Sequence, residues 1–191
     1  MYETKILHAG KYDGYSRARR QFHYKVVRQM LKHASSPNAG QQPTAILIGG
    51  GTASGKTTLW ENVVRKELAL QQIEAVRVDA DDMKTYIPEY AKFQTYYPKE
   101  AAKLVHKESV DMSVLLLEEL IKRKMHFVWE STMTRTEKYV RLVSGLKKKG
   151  YRICLYVVDI PVQLAIKRSN KRAKRTGRFV PPGVIVYTHR K

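Results

Sequence analysis

Cysteine is all but missing from this chain: Cys154 stands alone among 191 residues. A single thiol cannot close an internal disulfide, which excludes a disulfide-stapled secreted scaffold. Among apolar neighbours it reads as inert core. Long apolar runs are missing too. No stretch approaches the ~18 consecutive apolar residues that a membrane span needs, so no membrane partner is expected. Met1 to Lys11 holds no apolar block of signal-peptide length, and a cytoplasmic location is the expectation. Acidic residues are scarce: 17 Asp and Glu face 36 Lys and Arg, a net charge of +19. Such a field attracts polyanions, whether nucleic acid, anionic lipid or phosphorylated small molecules. What is present suits one globular domain, with 43% hydrophobic and 28% charged residues, enough apolar material for a core.

Residues 15–33 place Phe22, Val26 and Met30 four apart, with Val27 and Leu31 beside them, the spacing of an amphipathic helix. The turn-forming stretch SSPNAGQQP follows over 35–43. Residues 1–43 are therefore expected as an N-terminal helical arm and linker, and 44–191 as the main domain. In that domain short apolar runs alternate with helical ones. TAILIGG (44–50), EAVRVDA (74–80), HFVWES (126–131) and RICLYVVDI (152–160) read as strands, the last fully apolar in its middle. Residues 56–70 read as a helix, 98–124 as one long helix or two short ones, and 134–150 as a helix capped by Thr134 or Thr136 and stopped by Gly150. A basic helix opens at Pro161 and runs to about Arg175. The alternation predicts an α/β fold, a mostly parallel sheet with helices on both faces.

GGTASGKT, residues 50–57, fits G-x-x-x-x-G-K-[ST] in full, between a strand and a helix. Glycines at 50, 51 and 55 let the backbone curl so that consecutive N–H groups face phosphate oxygens. The helix N-terminus behind them adds about half a positive charge. Lys56 would reach the β- and γ-phosphates, and the Thr57 hydroxyl would ligate the magnesium that bridges them. Gly50, Gly51, Thr52, Ala53, Ser54, Gly55, Lys56, Thr57 and Thr58 are the expected nucleotide-binding set, making a P-loop NTPase three-layer fold the expected architecture.

Open α/β sheets bind ligands beyond the carboxyl ends of their strands. After the second strand come Asp79, Asp81 and Asp82; after the third come Glu130, Ser131, Thr132 and Arg135. Both groups are acidic and would converge on the phosphates. One carboxylate there can take the proton of an attacking hydroxyl. Asp81 or Asp82 could instead cap the next short helix. Further on, KRSNKRAKRTGR (167–178) is rich in cations and has no acid, with Arg168, Arg172 and Arg175 on one helical face. Arginines on a closing segment can neutralise the charge that phosphoryl transfer spreads over oxygen. A solvated face and a nucleic-acid stripe are the other readings of the same run.

ILIGGGTASGKTTL, VDADDMKTYIPEY, VHKESV, the strand ending in ESTMT, KKGY and the run R-x-x-x-R-A-x-x-T-G-R-F-V-P together resemble the zeta-toxin family of P-loop kinases, from about residue 44 to 183. The order and spacing of the later pieces make the likeness specific. It implies a kinase that uses magnesium and ATP or GTP to phosphorylate a hydroxyl, in toxin members one on a UDP-activated N-acetyl amino sugar. Carried over by position, Asp81 corresponds to the general base. Glu130 and Thr132 would line the acceptor site, and Arg172 and Arg178 correspond to two phosphate-facing arginines. The family's further substrate-contacting acid falls at Val114 in ungapped register. Glu108 and Asp111 are the stand-ins, and Glu108 is taken as substrate-binding. A small antitoxin that blocks the nucleotide site is the implied protein partner. The chain stops at Lys191, before further helices and a strand that the family usually shows, which fits a domain truncated at its C-terminus, a decayed gene product or a compact member alike. The alternatives are a kinase for a nucleotide, a dinucleotide cofactor, an antibiotic or a nucleic-acid 5′ end, and a nucleotide-binding protein without transfer.

Overall fold

Strand-forming β-branched runs and intervening amphipathic helices set up a sheet with two apolar faces, and the helices cover both. The structure is a computed structural model and describes residues 2–10, 14–32, 34–176 and 179–189. In chain order the helices and strands are α1 (Thr4–Leu7), α2 (Arg17–Leu31), β1 (Thr44–Gly50) and α3 (Lys56–Leu59), continued through a π-helical turn (Trp60–Val64) into α4 (Arg65–Leu70). Then come β2 (Val76–Asp79), α5 (Ala80–Met83), a 3₁₀ turn (Lys84–Tyr86), α6 (Pro88–Tyr96), α7 (Ala101–Leu104), α8 (His106–Lys122) and β3 (Phe127–Glu130). The last are α9 (Thr136–Lys148), β4 (Arg152–Val158), α10 (Val162–Thr176) and α11 (Pro182–His189).

Among the described residues the strands form one parallel sheet in the order β2-β3-β1-β4. β1 is central and buried nearly throughout. Its alternate residues serve opposite layers, as the period of two requires. Ala45 and Leu47 join Val78, Phe127 and Trp129 in a core shared with α2, α8 and α9, while Ile46 and Ile48 pack with Val64, Leu68 and Val128 under α3 and α4. The expected α/β architecture with helices on both faces is therefore the observed one.

Several local expectations change. The 98–124 segment is two helices, one turn of α7 and the long α8. The 56–70 helix carries a π turn in its middle. Neither Thr134 nor Thr136 caps α9, whose N-cap position is Arg135 and makes no side-chain bond. Gly150 does follow the helix end, at φ 80. β4 is apolar in its middle yet lies at the sheet edge, with Leu155 and Val157 exposed.

α2 contributes Val26, Val27 and Leu31 to the larger core. It is also tied to α8 by charge. Glu108, fully buried, accepts from Arg19 Nε at 2.6 Å and Arg19 Nη2 at 3.1 Å, and bonds His23 Nε2 at 2.6 Å. Arg19 also bonds both oxygens of Glu89 on α6, whose Oε1 meets His8. Burial works against the Glu108 carboxylate, but the bonds from His23, Arg19 and Thr4 outweigh it and hold it down at about 2. Removing one partner of a buried ion pair strands the other charge. Arg19→Met is thus expected to cost about 3 kcal/mol in chemical unfolding. Because the native value lies below the ordinary 4.5, this stabilisation is full above that pH and drains away as pH falls towards 2. Glu108→Gln should flatten the stability-versus-pH curve in that window, and an unchanged curve would contradict the assignment.

Candidate active site

The loop between β1 and α3 turns on left-handed backbone at Gly50 (φ 146) and Gly55 (φ 114). Gly51 differs from the expectation: its φ is not positive, and its missing Cβ makes room instead. A Cβ there would stand 2.3 Å from the ring of His189. Ala53 takes the remaining left-handed position, at φ 62. Lys56 folds back along the loop and donates to Gly50 O at 2.9 Å and Gly51 O at 3.1 Å. Burial pushes the Lys56 ammonium below its ordinary value; the charges of Glu130, Asp79 and Asp81 pull it back up, and that of Arg172 pushes it down again. The charges of these three acids and of Arg172 thus all act on the loop lysine. Thr57 and Thr58 are exposed at the head of α3.

Parallel register brings the two acidic strand ends side by side, Asp79 opposite Glu130. What joins them is Arg77, which the sequence reading did not single out. Its Nη2 donates to Glu130 Oε2 at 2.7 Å and Asp79 Oδ2 at 2.9 Å, and its Nη1 donates to Asp82 Oδ2 at 2.9 Å. The guanidinium lies over the Trp60 ring, 5.7 Å from its centroid. Alternation along VRVD puts Arg77 and Asp79 on one side of the strand, and that signal could have found it.

The helix cap is also not where it was expected. Asp79 caps α5, its Oδ1 accepting from the Asp81 amide at 2.9 Å, while Asp82 is the outer partner of Arg77. Burial raises Asp79 to about 6, helped by the negative charges of Glu130 and Asp81. Asp81 is left beside Lys84, whose Nζ donates to its Oδ1 at 2.8 Å; the Lys84 side chain is almost fully buried.

Beyond β3, Ser131 anchors the chain to β1 through its amide and Ile48 O at 3.0 Å, and its hydroxyl meets Tyr139. Thr132 follows, half-buried between Ser131 and Met133. From α10, Arg168 Nη1 reaches Ser54 O at 2.8 Å, and Arg172 lies close enough for its charge to act on Lys56. Arg175 is exposed, and Arg178 lies outside the described residues. From α11, Thr188 Oγ1 accepts from the Thr52 amide at 3.0 Å, and His189 Nε2 bonds Thr52 O at 3.0 Å. Glu108 is the correction to the expected set. Its carboxylate is consumed by Arg19 and His23 inside the α2–α8 contact, so it presents nothing to a substrate. Asp111, its fellow stand-in, is held by Lys5 and Tyr15, each at 2.8 Å.

Among the described residues no group of three His, Cys, Asp or Glu is placed to hold a metal ion by itself. The Thr57 hydroxyl, exposed at the head of α3, is the loop's own oxygen that could hold an ion arriving bound to phosphate. Likewise no described helix is long and apolar enough to cross a membrane.

Comparison with known proteins bears on the family and the fold. The Zeta toxin family model matches residues 28–191. Toxin PezT of Streptococcus pneumoniae is 25% identical over 145 residues, which are 76% of this chain and 56% of that protein. Toxin zeta of Streptococcus pyogenes is 26% identical over 142 residues, 74% of this chain and 48% of that protein. The chain thus spans about half the length of the curated relatives it matches. Among solved structures, the PezAT chromosomal toxin–antitoxin system of Streptococcus pneumoniae superposes with a TM-score of 0.68 at 23% identity, covering 84% of this chain and 65% of that one. The AvrRxo1-ORF1:-ORF2 structure with ATP gives 0.75 at 17% identity, covering 98% and 64%. At these identities the two structures bear on the fold.

Proposed function

This chain belongs to the zeta toxin family, and we propose that it is a kinase moving the γ-phosphoryl group of ATP or GTP to a hydroxyl of a small nucleotide-like acceptor. The observation that carries the reading is a phosphate loop with its lysine, Lys56, folded onto Gly50 O and Gly51 O, on a parallel sheet whose neighbouring strand ends set Asp79 and Glu130 side by side. A protein that only bound nucleotide would need the loop and Lys56 but would have no use for a carboxylate beside the γ-phosphate.

In this reading the loop amides and Lys56 hold the β- and γ-phosphates in line. Asp81 accepts the acceptor proton as the new P–O bond forms and the bond to the β-phosphate oxygen breaks, releasing the nucleoside diphosphate. Arg172 and Arg178 offset the charge that develops on the equatorial oxygens. Glu130 and Thr132, at the end of β3, face the acceptor. Magnesium, held through Thr57, would supply further charge neutralisation on the phosphates. Arg77 keeps Asp79, Asp82 and Glu130 from repelling one another, and Lys84 orients Asp81 through one carboxylate oxygen.

Family membership supports a UDP-N-acetyl amino sugar as the acceptor and a small antitoxin as the partner that silences the chain. The test is incubation with ATP or GTP and magnesium against a panel of UDP-N-acetylglucosamine, free nucleotides, dinucleotides and a 5′-hydroxyl oligonucleotide, read by mass. A phosphate gained by UDP-N-acetylglucosamine is the expected result. Phosphorylation of another member of the panel keeps the kinase and discards the sugar; nucleotide binding with no acceptor modified discards the kinase.

A further inference from the structure

The costly residue in the phosphate loop is Ala53. At φ 62 it holds a left-handed conformation that only glycine enters freely, and such residues persist where their neighbours over-determine them. Both of its neighbours are held by the C-terminal helices. Thr52 has its N–H taken by Thr188 Oγ1 and its carbonyl by His189 Nε2, each at 3.0 Å. Ser54 has its carbonyl taken by Arg168 Nη1 at 2.8 Å. The Thr188 hydroxyl donates its own hydrogen to Ile185 O at 3.0 Å, so a lone pair is committed to Thr52. Ile185 is fully buried and anchors α11 where it stands. The fit is close: any side chain at position 51 would overlap the His189 ring.

We propose that Thr188 and His189 are positioning residues for the nucleotide: they brace Thr52 from α11, so that Ala53 keeps the left-handed turn on which the phosphate-accepting curl depends. This rests on the reading of the loop as the nucleotide site. A brace, and not a block, follows from where the bonds land. They take the two polar groups of Thr52, at the turn that precedes Ala53. The strain argument also has a consequence that a simple contact would not have. With glycine at position 53 the left-handed turn costs nothing, so the brace should lose its importance.

Binding of a fluorescent ATP analogue with magnesium to the full chain, measured beside thermal unfolding, tests this. Thr188→Val and His189→Ala are each expected to weaken binding about five- to tenfold with Tm nearly unchanged, the size of one lost hydrogen bond. Thr188→Ser, which keeps the hydroxyl, should bind like the unmodified chain. In an Ala53→Gly background the same two losses should shrink to less than about twofold. Tighter binding in the single variants would mean that α11 blocks the loop, and the proposal falls. Unchanged binding, or losses of equal size in both backgrounds, overturns it as well. If the unmodified chain binds no nucleotide at all, it is the assignment of the loop that fails, and the brace with it.

Discussion

Lys56→Ala is expected to abolish phosphoryl transfer, a loss on the order of 10²–10³-fold at the least, the scale of removing one preorganised donor from a developing charge. The ammonium now rests on the carbonyls of Gly50 and Gly51, poised to exchange them for phosphate oxygens. Its charge also acts against acids that would otherwise repel the incoming triphosphate: Glu130, Asp79 and Asp81 all act on it. Arg77 already neutralises Glu130 and Asp79, but its guanidinium is committed to those acids and does not stand in for Lys56. Folding should survive, because the two bonds of Lys56 are to its own loop. A variant with unchanged ATP affinity and turnover would sink the phosphate-loop assignment; a variant that unfolds would show the lysine to be structural.

The parts of this site that could be read in the sequence are those whose physics is local or follows from topology. The phosphate loop is a contiguous pattern, and a parallel sheet must bring its strand ends together, so Asp79 and Glu130 were expected where they are found. What was not legible depends on partners far along the chain. Glu108 looked like a site acid; only the fold reveals that Arg19 and His23, 89 and 85 residues away, consume it. Thr188 touches the loop across 136 residues of chain, and nothing in a short C-terminal helix announces such a contact. Gly51 was read as a turn residue because glycines in such loops usually are, whereas its role here is to leave space for a ring. Arg77 is the intermediate case. Its alternation with Val76 and Val78 was visible, but the three carboxylates it binds come from two separate segments. β4 shows the limit of composition: an apolar run fits a central or an edge strand, and only the strand order tells them apart.

Asp81→Asn is expected to lower turnover by ~10²–10⁴-fold, the usual contribution of a positioned general base, while nucleotide affinity changes little. Four acids lie close to the site, and their surroundings separate their roles. Asp79 caps α5 and pairs with Arg77; Glu130 shares that arginine; Asp82 takes its outer nitrogen. Asp81 has one oxygen fixed by Lys84, which sets the carboxylate's orientation at the start of α5, just past the end of β2. An asparagine keeps an acceptor for Lys84 but cannot take the hydroxyl proton. It also leaves a nearly buried ammonium facing a neutral group, so some stability is lost. Asp81→Asn combined with Lys84→Met removes that stranded charge, and its turnover should remain as low as that of Asp81→Asn alone. Asp82→Asn is the control. Its carboxylate is more than half exposed, and an exposed ion pair contributes about 1 kcal/mol or less. That variant should stay active with a small loss in Tm. The measurement is single-turnover phosphorylation at saturating ATP with whichever acceptor the panel identifies. If Asp82→Asn is the inactive variant and Asp81→Asn the active one, the base lies one residue further along the chain, and Lys84 then orients a bystander.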